Sequence, residues 1–123
     1  MPGLRAGPTP YAAIAVSSRG VLGLSWIQGT PGDLVRFNDK AWTSREHAWD
    51  LYFTASADGG TNFATPVRVL QTPSRTDARF PNWPYRADYL SLAASADGAF
   101  HPLWIDTRDS KGEIQATRIE VQP

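Results

Sequence analysis

Apolar and polar residues alternate along several short segments of the chain. The clearest such segment runs from Asp50 to Ser56, where every second residue is apolar: Leu51, Phe53 and Ala55. A period of two is typical of a β-strand with one buried face. The same alternation returns from Glu113 to Val121. The pattern therefore predicts an all-β protein.

The predicted strands fall into two antiparallel units. The first has four strands: Tyr11–Ser17, Val21–Gln28, Asp50–Ser56 and one that includes Val67 and Val69. The second has three: Asp88–Ala94, Phe100–Thr107 and Glu113–Val121. A glycine within the second strand, Gly23, predicts close approach of a neighbouring strand.

The two units resemble each other in sequence. Residues 18–27 align with residues 96–105, and Gly20, Trp26 and Ile27 fall on glycine, tryptophan and isoleucine at one constant offset. A repeated unit of four strands with loops of variable length is typical of a β-propeller blade. We therefore expect residues 1–123 to form one partial propeller domain. Its blades would span residues 11–70 and 88–121, and residues 71–87 would connect them.

Composition narrows the classes of partner. Twelve basic and twelve acidic residues balance, so no charge footprint for nucleic acid or an anionic membrane is present. Cysteine is absent, which excludes disulfides and thiolate metal sites. No apolar run approaches the ~20 residues of a membrane helix, and no signal peptide opens the chain. The compartment stays open, and a secreted parent protein is one option.

The segment after the third predicted strand contains the pattern Ser56-x-Asp58-x-Gly60-x-x-Phe63. Asp58 is expected to accept hydrogen bonds from backbone N–H groups of its own turn. Gly60 allows the chain to reverse, and Phe63 can fold back as an apolar plug. This pattern resembles the Asp box of sialidase-like β-propellers, with Asn62 in place of the usual threonine. The resemblance implies a structural turn between the third and fourth strands of a blade, not a catalytic site.

A second resemblance to sialidases covers the segment from Asp88 to Arg108. It places Tyr89 on the position of the catalytic tyrosine nucleophile, although Leu90 follows where that family has serine. Sialidases are an exception to the two-carboxylate scheme of glycosidases. The alternative is a tyrosine that packs with its hydroxyl hydrogen-bonded.

Substrate-binding candidates lie in the two long connections. The resemblance makes Arg79 and Arg86 candidates for one member of an arginine triad that holds the substrate carboxylate, and the alternative is solvated loop arginines. Trp42 and Trp83 would suit stacking on sugar rings, as would Trp49, and the alternative is packing between blades. Asp106 and Arg108 flank a strand end; one interpretation places them at the pore mouth, and the alternative, which we expect, is an Asp–Arg pair between adjacent blades. The two histidines have no second ligand at metal spacing, and no phosphate or dinucleotide motif occurs, so we expect no metal and no cofactor.

These observations lead to a functional hypothesis with alternatives. The chain is expected to be a partial sialidase-like propeller, related to glycan-processing proteins and not catalytically competent alone. The alternative is a lectin-like or protein-interaction module that forms a ring by homo-oligomerisation, with three chains supplying six blades. If the chain is active, it would be a sialidase-type glycoside hydrolase. The missing blades could also belong to a larger chain.

Overall fold

The computed structural model describes residues 11–29, 48–71, 74–75, 90–106 and 113–122. Within these ranges the chain forms eight strands: β1 (Tyr11–Val16), β2 (Leu22–Gly29), β3 (Ala48–Ser56), β4 (Val67–Arg68), β5 (Ser74–Arg75), β6 (Leu90–Ala94), β7 (Phe100–Asp106) and β8 (Glu113–Ala116). Every pairing between them is antiparallel. The predicted all-β class and the division into a four-stranded and a three-stranded sheet are confirmed.

Sheet 1 contains β1, β2 and β3 as successive neighbours, and its fourth position is shared by β4 and β5. β4 pairs with the middle of β3, whereas β5 pairs with the beginning of β3, at Ala48 and Trp49. β5 lies inside the predicted connection, residues 71–87, which therefore contains a short strand that the sequence did not predict. A strand of two residues is too short to show a period-two pattern.

Sheet 2 contains β6, β7 and β8 in that order. β8 ends at Ala116, earlier than the predicted Val121, but Ile119 still forms a bridge with Phe100 in the same register. Between them, the backbone N–H of Thr117 donates to the carbonyl of Pro102 at 3.3 Å. Pro102 has no N–H with which to return that bond. The proline on β7 therefore interrupts the ladder that the alternating pattern predicted.

The first hairpin of each sheet has the same turn. In sheet 1 the N–H of Ser17 donates to the carbonyl of Val21, and the N–H of Gly20 donates back to Ser17. The hairpin of sheet 2 repeats both bonds at the aligned positions, residues 95–99. Gly20 and its counterpart Gly98 have positive φ angles, 76° and 86°. These bonds agree with the sequence repeat.

The two equivalent turns lie side by side. The hydroxyl of Ser18 donates to the carbonyl of Ala96 at 3.2 Å, and these residues are 78 positions apart, the offset of the repeat. The contact joins equivalent points of the two sheets. Sheet 2 is therefore placed beside sheet 1 with its elements in the corresponding order.

The main core lies between the two sheets. Its buried members from sheet 1 and sheet 2 are Ile27, Trp49, Leu51, Leu70 and Trp104. The rings of Phe53 and Phe100 meet at 5.3 Å beside this cluster. Trp49 is only 2% exposed and belongs to β3, so its predicted place in a loop was wrong. The alternative, packing between sheets, is the one the structure supports for this residue.

Gly23 marks a close approach, but not the one expected. The group above it is the aromatic ring of Phe100 from sheet 2, not the backbone of a neighbouring strand. A Cβ on residue 23 would stand 2.4 Å from Cε1 of that ring, far inside van der Waals contact. The glycine therefore creates the space that Phe100 fills.

The two sheets are closest along their first strands. β6 lies against β1 and β2, which carry small residues at this contact, Ala13 and Ala15 among them. Farther out, a groove of about 480 Å³ opens between residues 69–71 of sheet 1 and the β7–β8 side of sheet 2. We call it the wedge groove. The sheets therefore diverge from their first strands towards their last.

Candidate functional site

The turn after β3 is held by its own side chains. Asp58 accepts two bonds from Asn62, from the backbone N–H at one carboxylate oxygen and from the amide Nδ2 at the other, both at 2.9 Å. Ser56, which is buried, donates its hydroxyl to Asp58 at 2.8 Å and accepts from the N–H of Gly60 at 2.9 Å. The expected role of Asp58 as acceptor for its own turn is confirmed.

Two glycines and Phe63 also contribute to the shape of this turn. Gly59 and Gly60 both have positive φ angles, 74° and 95°, which residues with a Cβ rarely adopt. Phe63 is half-buried and lines a groove of about 400 Å³ beside the turn. Asn62 has the largest influence on Asp58, and the sequence analysis noted it only as a departure from the Asp-box pattern. Its distance of four residues from Asp58 was the available signal.

The bonds to Asp58 determine its charge. The backbone N–H of Asn62, then its side chain, then Ser56 stabilise the carboxylate and lower the pKa of Asp58 from 3.8 to about 2. Both carboxylate oxygens are used by donors of the same turn. At neutral pH the group is therefore an ionised structural acceptor, and the arrangement does not suit it to act as a general acid.

This pKa shift predicts how one variant depends on pH. A carboxyl group whose pKa falls on folding stabilises the protein above its unfolded pKa, and this contribution disappears as the pH falls through the folded value. We expect Asp58→Asn to melt at a lower temperature than the wild type at pH 7. The difference should shrink from about pH 4 downwards and be lost near pH 2. Thermal melts of both proteins at pH 7, 4, 3 and 2 measure it, and a constant difference would contradict the assignment.

A second polar cluster lies at the turn between β6 and β7. Ser95 donates its hydroxyl to Asp97, and Nε2 of His101 lies 2.9 Å from the same hydroxyl oxygen. Asp97 also accepts from the N–H of Ala99 at 3.1 Å and pairs with Arg118 at 2.8 Å. Ser95, Ala99 and Arg118 lower the pKa of Asp97, in that order of effect. This cluster was not predicted from the sequence, although Ser-x-Asp-Gly at residues 95–98 repeats the start of the first pattern.

The second cluster is not a nucleophilic triad. Here the carboxylate of Asp97 bonds to the hydroxyl of Ser95, so the serine lies between the carboxylate and the imidazole of His101. In a catalytic triad the histidine accepts the serine proton and the carboxylate orients the histidine. The cluster therefore stabilises the turn and anchors the segment after β8 that carries Arg118.

The residues predicted to carry chemistry lie outside the described ranges: Tyr89, Arg79, Arg86, Trp42, Trp83 and Arg108. Their proposed roles stay predictions. Asp106, at the end of β7, is 8% exposed and lines the wedge groove together with Trp104. The indole N–H of Trp104 has no hydrogen-bond acceptor in the described part of the chain.

In residues 11–29, 48–71, 74–75, 90–106 and 113–122, no three side chains of His, Cys, Asp or Glu are grouped as metal ligands. The same ranges contain no helix with the length and apolar character of a membrane span. Comparison of the chain with protein-family models, curated proteins and solved structures gave no match.

Proposed function

We propose that the chain contributes two adjacent blades of a sialidase-like β-propeller, related to glycan-processing proteins and not catalytically competent alone. The observation that carries this proposal is the contact between equivalent turns, Ser18 with Ala96. It brings together points one repeat apart. Blades arranged around an axis make this kind of contact, because each blade is a rotated copy of the one before.

The divergence of the sheets supports the same arrangement. Blades of a propeller are closest at their first strands, near the axis, and farther apart at their last strands. Here β6 lies against β1 and β2, and the wedge groove opens between the later strands. The turn at Ser56 to Phe63 also joins a third strand to a fourth, as the Asp-box resemblance implies.

The glycan part of the proposal depends on the resemblance to sialidases. A retaining sialidase needs the tyrosine, a carboxylate base, an acid and an arginine cluster around one substrate. Two blades carry Tyr89 and, in Arg79 and Arg86, candidates for one arginine of that cluster. The acid, the base and the other arginines would come from further blades, so we infer a glycan-related segment without independent turnover.

A second function, an interaction module, is favoured by a different observation. Several large apolar side chains are exposed on the two faces that point away from the core: Ile14, Val16, Leu103 and Ile114. Contiguous exposed apolar surface commonly marks an interaction site. In this alternative the sheets form a ring with other copies, and Trp42 and Trp83 would serve a lectin-like site.

The catalytic question has a direct test. With a fluorogenic sialoside, we expect the purified chain to give no turnover above that of Tyr89→Phe. Turnover by the wild type that disappears in a folded Tyr89→Phe variant would contradict the proposal and indicate an enzyme assembled from copies. Glycan binding that survives Tyr89→Phe but is lost in Trp42→Ala with Trp83→Ala would favour the lectin-like alternative.

A further inference from the structure

The outer face of sheet 1 is a copy of a face that is already packed inside the molecule. Strand pairing places Ile14, Val16, Leu22 and Leu24 on this outer face, away from Gly23 and Phe53. At the offset of the repeat their counterparts in sheet 2 are Leu92, Ala94, Phe100 and Pro102. Those counterparts lie on the face of sheet 2 that meets sheet 1.

The outer face of sheet 2 corresponds, in the repeat, to the core face of sheet 1, against which sheet 2 packs. Ile27 pairs with Leu51 in the core face of sheet 1. Their counterparts, Ile105 and Ile114, pair with each other on the outer face of sheet 2. The molecule therefore carries both halves of its internal interface again, one on each outer face.

Part of each outer face is exposed, whereas Trp26 and Thr54, which also lie on the outer face of sheet 1, are buried. Ile14 and Val16 are each 62% exposed, and Ile114 is 71% exposed. Apolar side chains in the middle of a strand are usually buried, because removing apolar surface from water stabilises a protein. These exposed residues have counterparts in the other sheet that are covered by the facing sheet. The difference indicates that a further sheet of the same kind covers the exposed residues.

We propose that the outer face of sheet 1 docks onto the outer face of sheet 2 of a second copy of this chain. This inference rests on the blade arrangement proposed above and names its partner. β1 of one copy would lie against β6 of the next, as β6 lies against β1 within the chain. Such a contact joins two different faces, so it repeats head to tail and closes into a ring when the rotation allows.

The head-to-tail arrangement makes a specific prediction about mixtures of variants. We expect light scattering behind a sizing column to give a wild-type mass above that of one chain, 13.5 kDa, because the copies associate. Ile14→Lys damages one face, and Ile114→Lys damages the other, so each variant alone should be a monomer. A 1:1 mixture should form a heterodimer of about 27 kDa, because each pair then has one intact face of each kind.

The positions of the two docking faces also determine the control variant and the results that would contradict the proposal. Val67 is 51% exposed but lies on β4, outside both docking faces, so Val67→Lys should keep the wild-type mass. Thermal melts check that each variant is folded, and Val16→Lys replaces Ile14→Lys if that variant is not. If one outer face paired with the same face of another copy, one of the two variants would still associate by itself and the mixture would form no heterodimer. That result would overturn the proposal.

A monomeric wild type that melts cooperatively would also overturn this inference. That result would leave the proposed function in place, because the missing blades could then belong to a longer chain. The blade arrangement itself fails on another measurement, the effect of Phe100→Ala on stability. Failure of the docking between copies and failure of the blade arrangement are therefore distinguishable, because different experiments detect them.

Discussion

Replacing Phe100 by alanine is expected to lower the free energy of unfolding by about 3 to 5 kcal/mol. Phe100 is fully buried, and its ring reaches from sheet 2 to Gly23 and Phe53 of sheet 1. The loss combines the transfer free energy of the ring with the cost of the cavity that it leaves. A small domain has a stability of only about 5 to 15 kcal/mol, so this variant would be close to unfolding.

Urea unfolding followed by tryptophan fluorescence measures this loss. Phe63→Ala is a matched control, since Phe63 is half-buried beside a turn and lies outside the contact between sheets. Its loss should be clearly smaller. If Phe100→Ala and Phe63→Ala lose the same stability, the sheets do not pack through Phe100 in solution. That result would contradict the proposed blade arrangement.

Replacing Gly23 by alanine is expected to destabilise the protein by about 1 to 3 kcal/mol. The new Cβ would lie 2.4 Å from Cε1 and 2.6 Å from Cδ1 of Phe100, so the ring or the strand must move. In an open strand the same change would stabilise by roughly 0.5 to 1 kcal/mol, because glycine loses more conformational freedom on folding. The sign of the effect therefore reports the contact directly.

Coupling with Phe100 separates this clash from other causes. Since leucine is smaller than phenylalanine, Phe100→Leu should cost less in the background of Gly23→Ala than in the wild type, by about 0.5 kcal/mol or more. Gly20→Ala is the control: it strains a positive φ of 76°, but a Cβ there has open space. Its effect should add independently to that of Phe100→Leu. If the effects of Gly23→Ala and Phe100→Leu also added independently, the close approach between Gly23 and Phe100 would be contradicted.

Local sequence determined the strands and the turns. The alternation at Leu51, Phe53 and Ala55 predicted β3, because a period of two can bury only one face of an extended chain. The turn at Ser56 and Asp58 was equally predictable, since its donors and acceptors all lie within seven consecutive residues. The repeat was visible for the same reason, as its hairpins are closed by local hydrogen bonds.

The candidate site was only partly accessible from sequence. Asp58 was recognised because its bonding partners are close in the chain. In the cluster around Asp97, Ser95 and Ala99 are equally close in the chain, but the salt-bridge partner Arg118 comes from the segment after β8 and could not be paired with Asp97 from sequence. Tyr89, which the family resemblance suggested, lies outside the described residues. Its role therefore remains a prediction to be tested by activity.

The sequence by itself determined that this chain forms two similar antiparallel units, because strand periodicity and turn chemistry act over a few residues. Only the tertiary structure decided which face of each sheet is covered, what fills the space above Gly23, and where Trp49 lies. Those outcomes depend on contacts between residues far apart in the chain, such as the one between Gly23 and Phe100. Alternation shows that a strand has an apolar face, but packing between sheets decides which apolar faces stay exposed, here at Ile14 and Ile114.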